Sequence, residues 1–261
     1  MSDTQTHTAI AHALQRVRER IDAAAWRAGR STAEIALIAV SKTFPVAAVL
    51  QAAAAGQADF GENRVEEALP KMKAVEAAGA QLRWHLIGHL QSRKVRDAIG
   101  HFDLIHSVDS LKLAAAIDRR LAMLRAQSPI SHPPSPLPDF QSILLECNVS
   151  GEESKSGFAV AGWESGGPAF DAFVQDVEKI VSLPHLRVRG LMTIAPIVTQ
   201  PEHARPYFAD LRALRDALRR RFPQSGWEHL SMGMTDDFEA AIAEGATLLR
   251  IGRAIFGERS A

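Results

Sequence analysis

Eight strand-length apolar runs recur along the chain, each followed by a stretch with helical periodicity, an alternation that demands a parallel α/β fold. The runs cover 35–41, 58–61, 83–87, 104–107, 143–148, 188–194, 229–232 and 247–251. Several are nearly continuous in Ile, Val and Leu, as strands packed on both faces are. Eight βα units in 261 residues fit a closed (β/α)8 TIM barrel better than an open sheet. Helical segments are expected over 45–55, 63–78, 110–126, 170–182, 201–221 and 236–244. Pro45 opens the first at a position that tolerates proline. Ahead of the first strand, Ile10, Leu14, Val17 and Ile21 recur at helical spacing, so an extra N-terminal helix is expected beneath the barrel or along its side.

Two stretches break the pattern: 128–138, with five prolines in eleven residues, and the glycine-rich 161–168. Both read as surface loops. Too few strands precede the first to close a barrel, so it reads as an insertion within one domain spanning 1–261.

Thirty basic and thirty acidic residues cancel, leaving no whole-molecule field to attract nucleic acid or an anionic membrane. Any anion must therefore be held locally. No apolar stretch approaches the roughly 18 residues of a membrane span. The single cysteine, Cys147, has no partner for an intrachain disulfide, which fits a reducing compartment and makes cytoplasm the economical reading.

In a barrel of this kind, functional groups sit at the C-terminal ends of the strands. Lys42 follows IALIAV and Ser41 at such an end, where partial desolvation favours a neutral amine able to attack an aldehyde. A solvated loop lysine would occupy the same position in sequence. The last two strands lead into Ser231-Met232-Gly233-Met234-Thr235-Asp236-Asp237 and Arg250-Ile251-Gly252-Arg253. A hydroxyl, glycine amides and a following helix start make a phosphate cradle where barrels often carry one, although glycines that merely end strands look the same. Arg250, inside TLLRI, must either point outward or be buried beside an acceptor.

The histidines suggest no metal site: His85 and His89, four apart on an extended chain, stand roughly 13 Å from one another, and His106 at the next strand end reads as a local hydrogen-bonding group. Glu62, Glu66 and Glu67 read as a helix-start charge group, and Arg219, Arg220 and Arg221 as a solvated helix end.

Seven ordered blocks, AVSKTFP, FGENRVEE, WHLIGHLQSRK, NVSGEESKSGF, RGLMTIAP, LSMGMTDDFEAAI and LLRIGRAIFG, resemble the pyridoxal phosphate homeostasis protein family over most of the chain. The resemblance implies a barrel similar to the N-terminal domain of alanine racemase, with pyridoxal 5'-phosphate (PLP) held as a Schiff base on Lys42. It further implies that Asn63 lines the cofactor face, that Ser231, Gly233, Gly252 and Arg253 hold the phosphate, and that Arg250 faces the ring nitrogen. An arginine there keeps its own proton and leaves the ring nitrogen without one, weakening the electron sink. No catalytic residue is implied. The family's role is to balance vitamin B6 and amino-acid pools, with PLP-dependent apo-enzymes as candidate recipients and a monomer as the expected state.

The chain departs from the family pattern where Phe44 replaces a second lysine after SKT and Arg253 replaces a small residue. Lys155 of SKSG resembles the family's other marked lysine and is a candidate for a transient PLP contact, beside the plainer reading of a loop lysine. The alternative function is a weak PLP-dependent amino-acid racemase. Alanine racemases add a C-terminal β-domain that supplies a tyrosine, whereas this sequence stops soon after its eighth strand and has one tyrosine, Tyr207, in a helical segment. A second base is therefore not expected.

Overall fold

The computed structural model describes residues 3–127 and 138–258, so the proline-rich insertion, save Pro138, lies outside the described residues. Among the described residues nine parallel strands follow in chain order: β1 (Ala36–Val40), β2 (Asp59–Glu62), β3 (Arg83–Leu86), β4 (Leu104–Val108), β5 (Gln141–Asn148), β6 (Phe158–Ala159), β7 (Leu186–Met192), β8 (His229–Ser231) and β9 (Leu248–Ile251). Eight close into a barrel in the order β1-β2-β3-β4-β5-β7-β8-β9, with β9 pairing back onto β1. The closure sets Ile38 beside Arg250, and the β4–β5 seam sets Ile105 beside Ile143. The expected TIM barrel is therefore the observed fold. The ninth strand, β6, is a two-residue addition paired to the end of β5.

Alternation along each strand sorts the side chains. Ile38, Leu104, Leu144, Met192 and Leu248, from five strands, form a small apolar cluster of their own inside the barrel. Their neighbours, such as Ala39, Ile105, Ile143, Leu145 and Leu249, join the main core beneath the helices.

That outer layer comprises α1 (Asp3–Arg27), α2 (Val46–Ala54), α3 (Val65–Ala77), α4 (Val95–Ala98), α5 (Leu111–Gln127), α6 (Pro168–Val181), α7 (Arg205–Arg221), α8 (Phe238–Ala243) and α9 (Arg253–Phe256). After β9 the outer helix is only the four-residue α9, and α1 lies against α2, α8 and α9 to cover the gap. The N-terminal helix thus runs along the barrel's side. Leu14 and Ala25 are fully buried there, and Arg20 donates to Glu239 of α8 at 2.9 Å.

Residues 92–98, where no helix was expected, form a 3-10 turn continuing into α4, too short to leave a periodic signal. The expected helix over 201–221 begins as a 3-10 turn at Pro201–Ala204 before α7. Among the described residues no helix is long and apolar enough to cross a membrane.

Candidate functional site

Lys42 sits on a tight turn just past β1, closed by the Phe44 N–H donating to the Ser41 carbonyl at 3.0 Å. Thr43 in that turn has φ +68°, the one non-glycine among the described residues with positive φ. Such a conformation costs on the order of 1 kcal/mol and persists only where its surroundings hold it.

Three contacts hold the turn. The Ser41 hydroxyl donates to Glu62 Oε1 at 2.7 Å; Lys71 Nζ of α3 donates to both the Ser41 carbonyl at 2.7 Å and Glu62 Oε1 at 2.6 Å; and the Phe44 ring packs on Phe256 at 5.1 Å. Glu62 is thus no helix-start charge. It is the last residue of β2, is fully buried, and forms an ion pair with the nearly buried Lys71. A local charge count misses this because Lys71 lies nine residues on, across a strand-to-helix turn. Glu66 and Glu67 do lie in the first turn of α3.

Lys42 is half-buried and lines a cavity of about 340 Å³ with Val40, Phe44, Gly252 and Arg253. Gly252 stands just before α9 and Arg253 is its first residue, so both bring backbone amides to the cavity. The Arg253 guanidinium instead pairs with Asp236, which raises its pKa and ties the loop after β8 to the start of α9. In that loop Gly233 has φ +92°, and a Cβ there would lie 2.7 Å from Ala241 Cβ, so only glycine fits. Asn63 lies apart, in a neighbouring cavity of about 440 Å³ lined with Gly88, His89, Arg93 and Lys94.

Of the two orientations open to Arg250, the structure has the buried one. Its guanidinium donates to Ser231 Oγ at 2.6 Å and to the Thr193 carbonyl at 2.9 Å. Burial pulls its pKa down to about 10 against the opposing pull of Asp237 and Glu146, so it stays charged at neutral pH. Ser231 is fully buried, its hydroxyl shared between Arg250 and His106. His89 pairs with Asp109 at 3.1 Å, and Lys155 pairs with Glu152 in the loop after β5.

Glu146, near the end of β5, is a further functional group whose signal in LLECN is the same as that of TLLRI, a charge within an apolar strand. It is only 6% exposed. Burial, with the Asp109 charge adding and Arg250 opposing, pushes its carboxyl up to about 7. Between the ordinary carboxylate value and 7, the folded state keeps a proton that the unfolded state releases. Its contribution to stability is therefore full below the ordinary value and declines as pH rises toward 7. Glu146→Gln is expected to flatten this slope, leaving the melting temperature unchanged near pH 4.5 and raising it by roughly 5 °C at pH 8. Thermal melts across that range are the check, and parallel slopes in the two proteins would contradict it.

A parallel eight-stranded barrel with a lysine just past its first strand and a buried arginine in its last defines a class, and the chain matches the family model "Alanine racemase, N-terminal domain" over residues 12–260. The Escherichia coli K12 protein named pyridoxal phosphate homeostasis protein is 42% identical over 254 residues, covering 96% of this chain and 97% of that one. The Pseudomonas aeruginosa protein of the same name is 44% identical over 250 residues, covering 96% of each. The chain belongs to the pyridoxal phosphate homeostasis protein family. Among solved structures, PipY of Synechococcus elongatus with PLP bound superposes with a TM-score of 0.76 at 34% identity, covering 95% of this chain and all of that one. Alanine racemase of Clostridium difficile, at 12% identity and a TM-score of 0.64, shares the fold alone.

Proposed function

We propose that this protein holds PLP as a Schiff base on Lys42, as a non-catalytic carrier that keeps intracellular PLP and amino-acid pools in balance. The observation that carries the reading is the cavity at the mouth, which Lys42, Gly252 and Arg253 line together, the last two bringing backbone amides at the start of α9. Those amides suit a phosphate, and an amine suits an aldehyde. With the Gly233 loop and the backbone at Ser231 they make the phosphate end of the site, Arg250 supplies a charged donor to the ring nitrogen, and Asn63 approaches the cofactor face only from the neighbouring cavity that it lines. When bound, PLP supplies the carbonyl carbon for Lys42 and an electron sink, which a permanently charged arginine weakens by leaving the ring nitrogen unprotonated.

Two further observations support holding over turnover. Tyr207 lies on α7 in the outer layer, and the Lys42 turn is braced by a buried ion pair. In this reading the chain works as one domain and a monomer in the cytoplasm, where Cys147, buried with its thiol pKa pushed well up, stays reduced, and it passes PLP to apo-enzymes.

PLP-loaded protein incubated with L-alanine or L-serine is expected to cause no loss of optical activity beyond that of free PLP. Sustained loss that depends on Lys42 would overturn the carrier reading in favour of a weak racemase.

A further inference from the structure

A continuous line of buried polar groups crosses the barrel lumen from mouth to floor. Beyond Arg250 and Ser231, Ser231 Oγ lies 2.8 Å from His106 Nδ1, His106 Nε2 lies 3.0 Å from His85 Nδ1, and His85 Nε2 lies 3.1 Å from Asp59 Oδ1. Asp59 takes two bonds of 2.6 Å from Arg83. Ser231 ends β8, whereas Asp59 and Arg83 begin β2 and β3, so the line joins opposite ends of the barrel. At the floor, the buried Asp59 and the mostly exposed Arg83 border a cavity of about 380 Å³ that Arg18 and Asp22 of α1 also line.

The chemistry of the groups gives the line a direction. Asp59 feels burial, which raises its pKa, but the bonds from His85 and Arg83 outweigh it and hold the carboxyl at about 2, so it only accepts. His85 Nε2 must then carry a proton. With His85 neutral, its Nδ1 accepts from His106 Nε2–H, and His106 Nδ1 accepts from the Ser231 hydroxyl. Ser231 thus turns its lone pairs, not its proton, toward Arg250. Every donor meets one acceptor.

One added proton reverses the order. Burial, with His85, Arg250 and His229 adding, holds His106 far below the usual imidazole range, and the other ring, His85, is the one whose Nε2 lies 3.1 Å from Asp59 Oδ1. His85 Nδ1 then donates, His106 donates from Nδ1 to Ser231, and the Ser231 proton must leave that contact. The charged and titratable groups around the two rings are Asp59 from β2, Arg83 from β3, His229 from β8 and Arg250 from β9.

We infer that His106 and His85 are positioning residues for Arg250: by fixing the direction of the Ser231 hydroxyl they set how the guanidinium is held, and they couple it to the charge of Asp59 at the barrel floor. This rests on reading Arg250 as the partner of the PLP ring nitrogen. The coupling runs through a contiguous set of hydrogen bonds with two discrete arrangements, the kind of element able to link distant points.

Two measurements test it. In ¹⁵N-histidine-labelled, ligand-free protein, at a pH where the spectra show both rings uncharged, His85 and His106 are expected to be Nε2–H tautomers; His106 protonated at Nδ1 there would overturn the direction. In PLP-loaded protein, His106→Phe and the remote Asp59→Asn are both expected to move the pH midpoint of the cofactor's absorption band, in the same direction and by about half a unit or more. His106→Gln, which keeps an acceptor for Ser231, is expected to move it less than His106→Phe. A silent Asp59→Asn, or shifts of opposite sign, would overturn the coupling, since a packing role for His106 predicts nothing at Asp59. Absence of any such band in the wild type would count against the PLP reading instead, and the tautomer measurement would still decide the hydrogen-bond order.

Discussion

Replacing Glu62 with alanine is expected to destabilise the protein by about 3–5 kcal/mol and to loosen the turn that presents Lys42. The carboxylate is fully buried and its Oε1 receives both the Ser41 hydroxyl and the Lys71 ammonium. Alanine would leave Lys71 as a buried cation with only the Ser41 carbonyl to receive it, and Ser41 with a donor and no acceptor. The pair is not optimal even now, because Glu62 Oε2 has no partner. Its loss should therefore be strongly non-additive. The double variant Glu62→Gln with Lys71→Met, which removes both charges, is expected to recover much of the stability lost in Glu62→Ala. Urea denaturation of the three variants decides the matter. A Glu62→Ala loss under about 1 kcal/mol, or a double variant no better than the single, would mean the pair does not brace the turn.

Arg250→Ala is expected to act on stability, cofactor and a remote carboxyl together. It removes the donor to Ser231 Oγ and to the Thr193 carbonyl, at a cost of about 3 kcal/mol. PLP affinity is expected to fall roughly tenfold to a hundredfold, the equivalent of about 1.4–2.7 kcal/mol. Glu146 loses the Arg250 charge that opposes its upward shift, so its titration should move further up. Arg250→Lys should not rescue the site, because a single ammonium cannot reproduce two diverging bonds from a planar fork. Equilibrium PLP titration and the pH dependence of the melting temperature read these effects separately. An Arg250→Ala protein with unchanged affinity would remove the ring-nitrogen role from the account.

The barrel was legible because its strands, covered on both faces, are written as apolar runs, and ALIAV and LLRI need no neighbour to be recognised. Strand ends carried the site for the same reason, since Lys42, Ser231 and Gly252 each stand within two residues of the last residue of an apolar run. What the sequence hid were side-chain contacts between neighbouring elements. Glu62 beside Lys71 looks like surface charge until α3 packs on β2, and His85 beside His106 looks like two isolated histidines until β3 pairs with β4. The choice between the two seats open to α1, beneath the barrel or along its side, was hidden as well, because it depends on α9 stopping after a single turn. Glu146 is different: its signal was present in LLECN and differed from that of Arg250 only in charge sign.

The most direct test of the account is borohydride reduction of the PLP-loaded wild type, followed by mass mapping of the peptides. The account predicts an absorption band near roughly 420 nm that reduction converts into a pyridoxyl group on the peptide bearing Lys42, absent in Lys42→Ala. No adduct, or an adduct on Lys155 with Lys42 unmodified, would contradict it.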